Sequence, residues 1–148
     1  MAGWRQMVSW KRFLVALALV VVALQLVPVS RTNPRVTSEI VAPAAVHAVL
    51  KRACYDCHSH ETKWPWYSYV APVSWLVAKD VRDGRRHMNF SEWGSYIADK
   101  QEAKIQSIWE QVEEGEMPLA IYLPMHPEAK LTEADRAVLK QWALPEMP

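Results

Sequence analysis

The sequence predicts an all-α fold on three grounds. No run alternates with period two for long enough to make a strand. Several stretches repeat apolar residues at spacings of three and four, and recognisable helix-start signals precede them. No internal repeat or low-complexity segment interrupts this pattern.

The elements follow in order. Phe13 to Val27 is apolar apart from Gln25, with Arg5, Lys11 and Arg12 in front of it. That is the pattern of an export segment. The run is short for the ~30 Å hydrocarbon core, but snorkelling Lys11 and Arg12 and interfacial Trp4 and Trp10 would extend it. Val27-Pro28-Val29-Ser30 is a poor match to a cleavage site, so residues 1–30 are expected to form a retained signal anchor or transmembrane helix, with cleavage as the alternative. Residues 31–43, polar and β-branched with two prolines, read as a linker. Residues 44–148 form the domain.

Pro43 suits a first helical turn. Behind it Val46, Val49, Leu50 and Ala53 make one apolar face. A second helix is expected to start at Pro72 or Ser74 and end at Gly84, with Trp75, Leu76 and Val77 to Val81 inward. Asn89 and Glu92 have capping-box spacing, which predicts a short helix from Phe90 to about Ala98. Asp99 with Glu102 repeats the signal ahead of Ile105, Ile108, Trp109 and Val112, and Gly115 stands at the C-terminal cap. Thr132 with Asp135 opens the last helix, in which Ala134, Val138 and Trp142 share a face before Pro145.

Composition narrows the function. Lys plus Arg number 17 against 16 Asp plus Glu, so a net charge of +1 gives no basis for a nucleic-acid partner. Eight tryptophans among 148 residues suggest a large apolar object to wrap. The two cysteines, Cys54 and Cys57, are too few for a disulfide framework or a four-thiolate metal site.

Those cysteines stand in Cys54-Tyr-Asp-Cys57-His58, the C-x-x-C-H pattern of covalent haem attachment. Three-residue spacing puts both sulfurs on one side of a helical turn, where each can add to a haem vinyl group. His58 then offers its imidazole to the iron. A thioredoxin-like dithiol would need a preceding strand in a β-α-β unit, whereas a helix precedes this motif. A zinc site would need two further ligands from His60, His47, Glu61 or a distant group. One covalent haem c, with its iron, is the expected cofactor.

The chain also resembles the bacterial haem-binding domain family, short exported proteins with one C-x-x-C-H motif. The likeness runs through Cys54–Ser59, Thr62–Tyr67, Ala71–Trp75, Asn89–Trp93, Gly115–Pro118 and His126–Leu131, and covers residues 45 to 142. The resemblance implies haem binding and a cytochrome c-like fold, without naming a partner or a reaction.

For the second axial position the candidates are Met117, Met125, His126, Met88, His87, His60 and His47. His60 is too close to His58 to cross the haem plane, His47 is on the preceding helix, and His87 and Met88 follow a polar stretch. Met117 lies between Gly115 and Pro118, where a reversal and a rigid exit can aim its side chain, and the segment resembles the methionine loop of small bacterial cytochromes c. His126 and Met125 remain the alternatives, as does an open sixth site. Trp64, Trp66, Trp75 and Trp93 are expected to exclude water around the haem, although ordinary core serves equally as an explanation.

These residues suit outer-sphere electron transfer rather than an enzyme's chemistry. No Ser/His/Asp set, phosphate loop or paired-carboxylate signature accompanies them. Covalent attachment of haem in bacteria takes place outside the cytoplasmic membrane, so the domain is expected on the periplasmic side, attached to the membrane by its N-terminal helix and serving redox partner proteins. The competing functions are a haem sensor or peroxidase with a displaceable ligand, and an accessory haem subunit of a membrane oxidoreductase.

Overall fold

Helices account for the regular structure of the chain in a computed structural model, which describes residues 2–145, with the side chains of residues 2–9 outside that description. The α-helices are α1 (Ala2–Gln25), α2 (Ala44–Ala53), α3 (Tyr55–His58), α4 (Val73–His87), α5 (Ala98–Glu113) and α6 (Glu133–Ala143). Short 3₁₀ turns occur at Trp66–Tyr69, Trp93–Ser95, Leu123–Met125 and Pro127–Ala129. Among the described residues the one β feature is an isolated bridge between Ser38 and Glu92, so the all-helical expectation holds.

The chain packs as two units. The first comprises residues up to Arg31 with Trp64–Lys79, and the second Thr32–Lys63 with the residues from Asp80 onward.

In the second unit, α2 and α5 both pack on α6. Val46, Val49 and Leu50 of α2 meet Ile108, Trp109 and Val112 of α5 and Leu139 and Ala143 of α6, with Tyr55, Phe90, Trp93 and Ile40 closing the cluster. Leu50 and Leu139 are wholly buried, each contributing about 1.5–3 kcal/mol relative to exposure. The face of α6 is shifted from the expected one. Leu139 and Ala143 are its buried residues, Val138 and Trp142 flank them, and Ala134 is exposed.

Thr132 and Asp135 form the expected capping box, the Asp135 amide donating to Thr132 Oγ1 (3.2 Å) and the Thr132 amide to Asp135 Oδ2 (2.8 Å). Gly115 ends α5 with φ at 78°, a left-handed conformation that glycine adopts without Cβ strain. Residues 32–42 are extended, as a linker would be, but their backbone is tied down: the Thr37 and Ser38 amides donate to the Ser91 carbonyl and the Ile40 amide to the Phe90 carbonyl.

Three expectations need correction. The expected helix from Phe90 to about Ala98 is reduced to the 3₁₀ turn Trp93–Ser95, because Asn89 Oδ1 accepts the Ser91 amide (3.0 Å), a local turn that competes with helix initiation. Helix α5 starts at Ala98 after Ile97, with Asp99 inside its first turn. Gly84 lies within α4 rather than ending it, and Leu76 of that helix is exposed whereas Val81 is buried.

In the first unit, α1 carries the apolar run Phe13–Leu24, most of whose large side chains are exposed. Among the described residues, no helix is long and apolar enough to cross a membrane. The expected transmembrane helix within residues 1–30 is corrected accordingly: the uninterrupted run covers about 18 Å, against ~30 Å of hydrocarbon.

The α6 capping box generates a test. Burial raises the Asp135 carboxyl, but its bonds from Thr132 and Arg52 outweigh that and hold it below the ordinary value. Its stabilisation is therefore present above the unfolded-state value and lost as pH falls through the folded one. Thr132→Ala is expected to lower unfolding free energy by about 1 kcal/mol at neutral pH, and chemical denaturation should show that difference shrinking once Asp135 is protonated.

Candidate haem site

The cysteine motif occupies one tight turn. Cys54 follows α2, and its carbonyl accepts the amides of Cys57 (3.2 Å) and His58 (3.0 Å), which winds Tyr55–His58 into α3. Both cysteines are free thiols and partly buried. Burial pushes the Cys54 thiol up to about 12, with Cys57 adding to the effect, and raises Cys57 to about 12 with help from Asp56 and Asp80. Thiols so raised stay protonated at neutral pH and are weak nucleophiles, unlike the activated cysteine of a dithiol oxidoreductase.

His58 is oriented by the residue that follows α4. Its Nδ1 lies 3.1 Å from the Met88 carbonyl oxygen. A carbonyl only accepts, so Nδ1 carries the hydrogen and the Nε2 lone pair is left for a metal. Burial lowers the imidazole's basicity, with the Met88 and Gly84 carbonyls opposing that effect. The His58 carbonyl in turn accepts the Phe90 amide at 2.7 Å.

Gly84 explains how α4 comes so close. A Cβ built there would stand 2.5 Å from the Cys57 carbonyl oxygen. One turn of α4 therefore lies directly on the backbone of the cysteine turn, which only glycine permits.

Arg85, the next residue, fastens the segment that leaves the motif. It donates to the carbonyls of Ser59 (2.7 Å) and Thr32 (2.8 Å), to Asn33 Oδ1 (3.0 Å) and to Thr62 Oγ1 (2.9 Å). Asp56, inside the motif, accepts the Lys63 amide on Oδ1 (2.9 Å) and the Tyr122 hydroxyl on Oδ2 (2.7 Å). The latter bond joins the loop after Met117 to the cysteine turn.

The other sequence candidates divide clearly. Met117 is half-buried, and its amide and that of Glu116 both donate to the Gln111 carbonyl at 3.0 Å. Met125 is 54% exposed. His126 stacks on Tyr122 (4.0 Å between ring centroids), and its Nδ1 lies 3.1 Å from Glu128 Oε1. Met88 is partly buried against the core, and the exposed His87 gives its carbonyl to Lys104.

His60 is buried, with Nδ1 donating to the Arg35 carbonyl and Nε2 accepting from Asn89. His47 pairs with Glu39, and Glu61 with Lys51. The side chains a zinc site would have borrowed are thus engaged elsewhere, and among the described residues no group of three or more His, Cys, Asp or Glu could hold a metal ion. Trp64, Trp66 and Trp75 belong to the first unit, where Trp64 and Trp75 are partly buried with indole N–H groups lacking hydrogen-bond partners and Trp66 is exposed. Trp93 is core in the second.

The sequence marks Gly84 only as a helix end and does not mark Arg85, Asp56 or Tyr122. Of those three, only Asp56, within the motif, carries a local signal.

A small all-helical domain with a Cys-x-x-Cys-His turn, its histidine presenting Nε2, has the donor set that fits haem. The model of the haem-binding domain family matches residues 19–144, and the chain belongs to that family. No curated protein and no solved structure matches it.

The close approach at Gly84 is testable. Gly84→Ala is expected to cost about 1–3 kcal/mol through overpacking and to loosen the His58 to Met88 bond. Thermal unfolding of the haem-loaded protein, with the visible spectrum read alongside, checks both, and an unchanged melting temperature would contradict the contact.

Proposed function

We propose that this haem-binding domain is a monohaem c-type cytochrome that transfers electrons outside the cytoplasmic membrane and does no substrate chemistry of its own. The observation that carries the reading is the joint arrangement at one turn. Two free thiols three residues apart accompany an imidazole whose Nδ1 is bonded to a backbone carbonyl. In this reading Cys54 and Cys57 would hold haem through thioethers, and His58 and Met117 would bind its iron.

When bound, haem iron supplies a one-electron couple. The chain's residues determine its setting. The Met88 carbonyl makes His58 a stronger donor by polarising its N–H, while burial around the turn reduces access of water. A methionine opposite histidine raises the potential. Support for Met117 over its rivals comes from its half-buried place after α5, compared with the exposure of Met125 and the engagement of His126 with Tyr122 and Glu128.

The reading includes attachment to a membrane by α1, whose Phe13–Leu24 side chains are embedded in lipid, with redox proteins as partners. Exposure of Phe13, Val15, Leu19, Val20 and Val22 supports this, since a contiguous apolar surface of this kind marks a membrane or protein contact.

Purified protein, denatured and extracted with acid-acetone, should retain its chromophore and give a c-type pyridine haemochrome. Full loss of colour would refute covalent attachment. Cys54→Ala and Cys57→Ala should each sharply lower haem yield. Met117→Ala should abolish the near-infrared sulfur-to-iron band of the ferric protein, lower its potential and admit carbon monoxide to the reduced iron. Persistence of the band in Met117→Ala, with its loss in Met125→Ala, would transfer the role to Met125.

A further inference from the structure

Gln25, the one polar residue in the apolar run, makes a reciprocal pair with a single backbone position. The Ala71 amide donates to Gln25 Oε1 (3.0 Å), and Gln25 Nε2 donates to the Ala71 carbonyl (3.4 Å). A few residues on, Arg31 donates to the Ser68 carbonyl (3.0 Å), and its guanidinium lies 4.5 Å from the centroid of the Tyr69 ring. The C-terminal end of α1 and the residues just after it are thereby bonded to the Ser68–Ala71 segment.

That segment is apolar and outward-facing. Trp66 is 71% exposed and Tyr69 58%, while Val70, Val73 and Leu76 are also exposed. This is an unusual set to leave in water beside a helix whose own apolar side chains are uncovered. Tryptophan and tyrosine, with apolar rings and polar tips, partition to the headgroup level of bilayers. An adjacent arginine meets lipid phosphate there. The apolar run of α1 also falls short of the hydrocarbon thickness, so attachment through it gains from a second contact at the interface.

We infer that Trp66, Tyr69, Val70 and Val73 form an interfacial collar, bonded to the end of α1 through Gln25 and Arg31, that rests on the headgroup layer of a phospholipid bilayer. The collar rests on the proposal that α1 is embedded in that bilayer and deepens it. Its consequence is orientational: a helix alone leaves the following chain free to swivel, and a second contact point limits that freedom.

The test uses the full-length, haem-loaded, reduced protein carrying 5-fluorotryptophan, in nanodiscs of phosphatidylcholine and phosphatidylglycerol. Trp66→Phe assigns the Trp66 fluorine resonance. A headgroup spin label in the lipid should broaden that resonance strongly, and a water-soluble relaxation agent should affect it less than it does in the lipid-free protein. Trp66→Ala/Tyr69→Ala should weaken retention in vesicles about tenfold under partial extraction, the scale set by one large buried ring, with Ile121→Ser as an exposed apolar control that changes nothing.

If the protein enters nanodiscs but its Trp66 resonance ignores the lipid label, the collar is overturned and the α1 reading stands. If that resonance instead shifts on oxidation of the iron, Trp66 faces the cofactor and the collar is equally overturned. Failure of the chain to enter nanodiscs at all would overturn the α1 reading and the collar with it.

Discussion

The hydrogen bond from His58 Nδ1 to the Met88 carbonyl depends on α4 lying against the cysteine turn, and much of the second unit is arranged to make that contact fit. Helix α4 reaches the Cys57 backbone only because residue 84 has no side chain. Once there, Met88, the residue just past its end, supplies a carbonyl to the imidazole, and Arg85 binds the segments on either side. The histidine is thus positioned by backbone rather than by another flexible side chain. A backbone acceptor at a helix end has little freedom to move, so the ring's tautomer and direction are determined together. A metal ligand held in this way loses little entropy on binding.

The domain has two kinds of packing. On the α2, α5 and α6 side an apolar cluster carries stability through burial of Leu50, Val46, Ile108, Val112 and Leu139. Around the motif, polar side chains tie loops to backbone: Arg85 to Ser59, Asp56 to Lys63 and Tyr122, and His60 to Asn89 and Arg35. Such bonds define geometry more than they add stability, each giving about 1 kcal/mol net. Losing one partner in a buried set costs more than that mean. A covalent cofactor in this loop-rich region would supply the constraint that a small core cannot.

The legible part of the fold was its local part. Helices α2, α5 and α6 were visible because their apolar spacing and ending signals are properties of short segments. Thr132 and Asp135 even marked a capping box that forms as expected. The C-x-x-C-H motif was legible as one turn because its residues are adjacent in the chain. Errors arose where a residue's partner lies far along the chain. Gly84 resembled a helix stop, since sequence does not distinguish a glycine required for close approach from one required for reversal. Asn89 and Glu92 do touch, at 3.1 Å, but Asn89 also serves His60 and Ser91, and no α-helix starts before Ala98. Arg85 and Tyr122 showed nothing locally because each acts across 20 or more residues.

Gln25 illustrates the same limit from the other side. Read along the chain, it is a flaw in an apolar run, and its removal would make a better lipid-embedded helix. In the fold its amide satisfies both backbone groups of Ala71, the residue before Pro72 in a segment where proline supplies no amide of its own. A side chain with one donor end and one acceptor end can make that pair of hydrogen bonds, whereas a charged group can complete only half of it. A glutamine at the end of the run is thus compatible with both surroundings: uncharged, so tolerable near lipid, and bifunctional, so able to complete the backbone of a loop. The position of this one polar residue marks where the apolar stretch of α1 ends and where bonding to the rest of its unit begins.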